Sequence, residues 1–153
     1  MLNDVMLKYL NTRHAAMEAL LDRDVMERVL ATVPEQIVEL DHKLHALPSK
    51  ALDGMPHTPN PKGGENRIIA LITAKTIQEQ RLTDAKHYQA WFIPAWEGLS
   101  ESDRDILETW YCSGLSGYQA SLEVAERYQI TRKTACNKKD NALKRLALAL
   151  YGV

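Results

Sequence analysis

Apolar residues recur at helical spacing along most of the chain. Val5, Met6, Tyr9, Leu10, Met17, Leu20 and Leu21 mark one amphipathic stretch over residues 2–22. Met26, Leu30, Val33, Ile37, Leu40, Leu44 and Leu47 then follow in steps of four and three. That is an a/d seam, the pattern of a helix packed lengthwise on another helix. Pro34 lies inside the seam, where a helix loses an amide donor. Thr32 and Glu35 have the form of a capping box, so a kink or a stop-and-restart is predicted near Thr32. Leu47–Asn66 carries four prolines and three glycines and reads as a loop between two antiparallel helices. Residues 65–93 contain neither Pro nor Gly and read as helix, with Leu71, Ala74, Leu82, Ala85, Phe92 and Trp96 as the buried stripe and Pro94 as the stop.

The last third is built from shorter periods. Ser100 and Asp103 open a short helix with Ile106, Leu107, Trp110 and Tyr111 on one face, stopped at Ser113-Gly114. A second runs from about Tyr118 to Tyr128, with Leu122, Val124, Ala125 and Tyr128 inward. Ile130-Thr131 is a turn, and a third helix spans Arg132 to about Tyr151. On that helix Ala135, Ala142, Leu146 and Ala149 share one side, with Leu143 and Leu150 beside them. Lys133, Asn137, Asn141 and Lys144 share the opposite side, flanked by Lys138 and Arg145 on one edge and by Arg132 and Cys136 on the other. The expected fold class is all-α: an N-terminal long helical hairpin over 1–97, for oligomerisation or partner binding, and a C-terminal helix-turn-helix module over 98–153.

Charge sharpens this picture. The 153-residue chain is close to neutral, at −1. Between Arg127 and Arg145, however, seven basic residues face Asp140 as the lone acid. Thr131 is a suitable N-cap, yet Arg132 and Lys133 follow it directly. Cations in a first turn oppose the helix dipole by roughly 0.3–1 kcal/mol each. Amide groups, dipole and two cations then give one positive tip, which suits a phosphate backbone. In a helix-turn-helix the second helix enters the major groove, and its first residues meet base edges. Arg132, Lys133 and Asn137 are side chains able to contact guanine or adenine edges, and Lys138, Lys144 and Arg145 fit phosphate contacts. With Thr131, Cys136 and Asn141 these form the candidate surface for double-stranded DNA.

These residues resemble a family. Leu99-Ser100, Arg104-Asp105-Ile106-Leu107, Tyr111 and Gly114 look like the opening helix of sigma-factor region 4. Glu123-Val124-Ala125 resembles its next helix, and Ile130-Thr131, Thr134-Ala135, Ala142-Leu143 and Leu146 resemble its turn and recognition helix. A long helical part ahead of such a module resembles phage and prophage regulators of the ArpU/RinA type. The resemblance implies a sequence-specific transcriptional regulator of late phage genes, with RNA polymerase as a possible further partner. The chain departs from the pattern in three places. It is longer between Gly114 and Glu123, it has Gln129 where a turn glycine is usual, and Lys139 sits towards the apolar stripe. Gln129 is therefore expected in a left-handed conformation, and the Lys139 stem is expected to pack while its amine reaches out. Nothing resembles the sigma region that melts promoter DNA. Two other roles stay open: a small-terminase-like packaging protein, and a helical module that binds RNA polymerase without touching DNA.

The remaining chemistry is sparse. Glu39, His42 and His45 share a helix without a further strong ligand, and Cys112 and Cys136 lack metal-ligand spacing, so neither a metal nor a cofactor is expected. No nucleophile–base arrangement or phosphate-binding glycine loop is legible, and no enzyme is expected. There is no membrane-length apolar run and no signal-peptide pattern, so the chain reads as cytoplasmic with free thiols. The unbroken seam leads to the expectation of a homodimer.

Overall fold

The computed structural model describes Met6, residues 9–47 and residues 63–152. Most of the expected loop 47–66 and the first residues of the 2–22 stretch lie outside the described residues. The described chain is all-α. It contains α1 (Thr12–His45), α2 (Gly63–Glu97), α3 (Glu101–Leu107), a π-helical segment (Glu108–Cys112), α4 (Gly117–Tyr128) and α5 (Arg132–Tyr151). A break at Tyr9–Asn11 separates the helical Met6 from the start of α1 at Thr12. The Asn11 side chain accepts from the His14 amide at 3.2 Å and caps the helix there.

Two compact units divide the chain: Met26–His87, and Met1–Val25 together with Tyr88–Val153. In the first, α1 and α2 run antiparallel. Val29, Val33 and Ala85 form its buried core, with Met26, Leu30, Ile37 and Leu82 packed around them. Helix α1 runs on through Thr32 and Pro34, so of the kink or stop-and-restart expected there the stop does not occur, and the seam keeps its phase. The Thr32 hydroxyl donates back to the Arg28 carbonyl at 2.9 Å instead of capping a new helix. An interior proline costs about 3 kcal/mol. Burying Val29 and Val33 returns about 1.5–3 kcal/mol each, and that burial requires the helix to continue in phase.

Packing also overrides Pro94. Helix α2 continues to Glu97 because Phe92 and Trp96, one turn apart across the proline, are both buried. It ends where the Gly98 amide reaches the Pro94 carbonyl at 3.1 Å. In this second unit Ala16, Ala19 and Leu20 pack with Phe92, Trp96, Leu99 and Leu107 and with Leu143, Leu146, Ala147 and Leu150 of α5. Tyr88 stacks on Phe92, and Phe92 on Trp96, with centroids 5.2 and 5.9 Å apart. Residues 98–153 thus share one core with parts of α1 and α2. The packing boundary falls elsewhere than the division at 97/98 read from sequence.

Candidate nucleic-acid interface

Helices α4 and α5 are held at their ends by side-chain caps. Ser116 and Gln119 form a reciprocal capping box that starts α4. The helix ends in a Schellman arrangement. The Gln129 amide donates to the Glu126 carbonyl at 3.2 Å and the Ile130 amide to the Ala125 carbonyl at 2.9 Å. Gln129 is left-handed, at φ 53° and ψ 48°, as its place in the turn led us to expect. Ile130 packs with Ala125, Val124, Ile106 and Ala135, so the turn is pinned by a small apolar cluster. Thr131 then caps α5 by accepting from the Thr134 amide at 3.2 Å. Gly152, at φ 74°, closes it at the far end.

The inward side of α4 differs from expectation in one residue. Leu122 is exposed and Ser121 is buried instead. Ser121 satisfies its hydroxyl by donating to the Tyr118 carbonyl at 2.6 Å and accepting from Arg132 Nε at 3.1 Å. On α5 the buried stripe is Ala135, Ala142, Leu143, Leu146, Ala147 and Leu150. Ala149, expected inside, is exposed, and Ala147 takes the inner position.

The polar side of α5 is exposed at Arg132, Lys133, Asn137, Lys138, Asn141, Lys144 and Arg145, while Cys136 is half-buried. Asn137, Asn141 and Lys144 lie on one ridge in steps of four and three, and the ridge continues to the exposed Leu148. The cations are not equivalent. Arg132 lies over the Tyr118 ring, 4.4 Å from its centroid, which draws it back towards α4. Lys138 Nζ is 6.0 Å from the Tyr128 ring. Among the described residues Lys133 and Lys144 have no carboxylate partner.

Three of the seven basic residues in the run are neutralised locally. Arg145 Nη1 donates to both Asp103 oxygens, at 2.9 and 2.8 Å. Lys139 Nζ lies 3.0 Å from Asp140 and over the Trp110 ring at 5.1 Å, with its stem largely covered. Burial lowers the Lys139 pKa, but the Asp140 hydrogen bond and nearby negative charge leave it raised. Arg127 reaches Asp105 at 2.7 and 2.9 Å, Thr109 at 3.0 Å and Glu123 at 2.6 Å. Tyr128 adds its hydroxyl to Asp105 at 2.7 Å. Burial alone would push the Asp105 carboxyl up, but the hydrogen bonds from Tyr128 and Arg127 and the Arg127 charge hold it below the usual range. Burial and that same hydrogen bond push the Tyr128 phenol up to about 12. The charge run therefore divides into residues with a carboxylate partner, Arg127, Lys139 and Arg145, and a narrower set without one, Arg132, Lys133, Lys138 and Lys144.

An open cleft of about 620 Å³ lies beside this surface, with Ser100, Asp103, Lys138, Asn141 and Arg145 on its walls. Elsewhere Glu39 pairs with Lys43 at 2.8 Å, and His45 Nδ1 lies 2.7 Å from the Asp41 carbonyl. Among the described residues no group of three or more His, Cys, Asp or Glu is placed to hold a metal ion. No described helix is long and apolar enough to cross a membrane. No family model, curated protein or solved structure matches the chain.

Proposed function

We propose that the protein is a sequence-specific duplex-DNA-binding regulator of transcription. In this reading α4, the Gln129–Thr131 turn and α5 act as a helix-turn-helix, and α5 is the reading helix. One observation carries it. Arg132, Lys133, Asn137, Asn141 and Lys144 are exposed at the capped N-terminal end and along the outer ridge of a 20-residue helix, opposite a fully buried stripe. Arg132, Lys133 and Asn137 reach base edges, and Lys138 and Lys144 contact phosphates. Thr131 serves as the cap, and Arg145 serves mainly to hold α3 against α5. The regulator acts as a homodimer that presents two reading helices, which raises affinity for a paired site.

The test is selection of bound fragments from random duplex DNA, followed by titration of the selected duplex by fluorescence anisotropy. A single enriched sequence family is expected, bound by the full chain and not by Lys133→Glu. Wild-type affinity in Lys133→Glu would falsify the assignment of α5 as the reading helix.

A further inference from the structure

Arg132 is held by its side and not by its tip. Its Nε donates to Ser121 Oγ at 3.1 Å. Its guanidinium carbon lies over the Tyr118 ring, 4.4 Å from the centroid. Both partners stand on α4 and neither is a carboxylate, so the hold leaves the arginine its charge. Arg127 and Arg145 differ, because each commits its Nη1 to an aspartate. Arg132 is exposed, and among the described residues its Nη1 and Nη2 have no hydrogen-bond partner. What remains free is the terminal fork of the guanidinium.

We infer that Ser121 and Tyr118 are positioning residues that set Arg132 for the edge of a guanine, so that the recognised duplex carries a required G·C pair opposite the first turn of α5. This rests on the proposed reading of α5 as the reading helix. Ser121 is 1% exposed, and its hydroxyl already donates to the Tyr118 carbonyl at 2.6 Å. The bond from Arg132 is therefore not needed to satisfy a buried donor. It uses a remaining lone pair of the oxygen and fixes the arginine. Nor is it needed to join the helices, since Ile106, Val124, Ala125, Ile130 and Ala135 already pin the turn. The free fork also has the right chemistry. Guanine presents O6 and N7 side by side in the major groove, and paired N–H donors meet both at once. Adenine sets an amino donor beside its N7, and an arginine has no acceptor for it. Holding the side chain beforehand removes rotamer freedom that binding would otherwise have to remove. A phosphate also accepts from an arginine, but it is bound as well by a mobile lysine ammonium and needs no fixed fork.

The test uses the full chain and the duplex selected from random DNA. Each G·C pair is replaced in turn by A·T. At one pair the wild type should lose roughly 5- to 100-fold in affinity, the range for a bidentate base contact. Arg132→Ala should be indifferent to the change at that pair and keep its sensitivity at the others. Replacing the same guanine by 7-deazaguanine, which lacks the N7 acceptor, should weaken the wild type and not Arg132→Ala. Ser121→Ala and Tyr118→Leu should each reduce discrimination at that pair with the salt slope of wild type, and Tyr118→Phe, which keeps the ring, should retain it. Tyr118 is 59% exposed, so its variants are read even if Ser121→Ala fails to fold. A merely structural contact would instead lower the urea midpoint and weaken binding at all positions alike. Uniform weakening with a shallower salt slope in Arg132→Ala would assign it to a phosphate and overturn the inference. Undiminished discrimination in Tyr118→Leu, or in a folded Ser121→Ala, would overturn it too. If no sequence is enriched, the DNA reading fails and this inference with it. An enriched site without an Arg132-dependent G·C pair defeats this inference alone.

Discussion

Arg145 and Asp103, 42 positions apart in sequence, form a two-oxygen ion pair that ties α5 to α3. The two ends of the pair lie in different surroundings: the Asp103 side chain is 10% exposed and that of Arg145 is 60%. Removing the arginine leaves a nearly buried carboxylate without its cation, whereas the arginine alone would remain well hydrated.

A contrast between adjacent cations follows. Arg145→Ala is predicted to destabilise the chain by about 1–3 kcal/mol, since a buried acceptor loses its donor. Adding Asp103→Asn should recover part of that loss in urea denaturation. Lys144→Ala should leave stability within about 0.5 kcal/mol. It should weaken DNA binding nearly uniformly over sequences, with a salt slope shallower by about one. If Arg145→Ala proves as stable as wild type and shares the Lys144→Ala salt signature, Arg145 is a phosphate contact after all.

The sequence exposes its local rules and conceals its distant ones. Helix α5 was legible from end to end because Thr131 starts it and the 3.6-residue period of Ala135, Ala142 and Leu146 sustains it. The left-handed Gln129 was legible from its place between two such helices. Pro94 misled because its local cost is real, but the burial of Phe92 and Trp96 outweighs it; at Pro34 the burial of Val29 and Val33 likewise carries the helix on, so the stop that was one of two expectations there does not occur. Leu122 misled because hydrophobicity was taken for direction, whereas the register of α4 puts Ser121 inside. The clamps of Arg127 on Asp105 and Arg145 on Asp103 join positions 22 and 42 apart and leave no local mark. For that reason the free cationic surface is narrower than the charge run.

Gln129 holds a left-handed conformation that a residue with a Cβ adopts at a cost of about 1–3 kcal/mol. Glycine adopts it freely but has more unfolded freedom to lose, which takes back roughly 0.5–1 kcal/mol. Gln129→Gly is therefore predicted to stabilise the chain by up to about 2.5 kcal/mol, read as a higher urea midpoint at unchanged slope. Gln129→Val should lower the midpoint. A lower midpoint for the glycine variant would show that the Gln129 side chain contributes more than its backbone costs.

The Asp105–Tyr128 pair gives the fold two pH limits. The Asp105 pKa is held below its ordinary 3.8, so its contribution is present above that value and is lost as pH falls through the lower folded value. The Tyr128 pKa is raised from 10.0 to about 12, so its contribution is present below pH 10 and is lost as pH rises towards 12. The chain has six tyrosines. A phenolate absorbance titration should show a late component that disappears in Tyr128→Phe, and that variant should lose the stability drop between these alkaline limits. An unchanged late component would assign it to another phenol, such as Tyr111 or Tyr151, whose pKa values burial also raises.

The packing of Leu20 decides whether residues 98–153 stand alone. Leu20 is 1% exposed and belongs to the same cluster as Phe92, Trp96, Leu107, Leu143 and Leu146. A 98–153 piece would expose the faces of α3 and α5 that this cluster covers, at a length where folding is already marginal. In the full chain, Leu20→Ala is predicted to cost about 2–5 kcal/mol, the range for deleting a leucine from a packed core. The loss should be felt over a hundred residues away, as lower amide protection along α5 and weaker DNA binding under mildly denaturing conditions. Val33→Ala, in the core of Met26–His87, should be destabilising too but should act first on amides of that unit. Hydrogen exchange read by mass spectrometry separates the two. Unchanged protection of α5 in Leu20→Ala would mean that the C-terminal helices hold together without α1, and that the boundary read from sequence at 97/98 is the functional one.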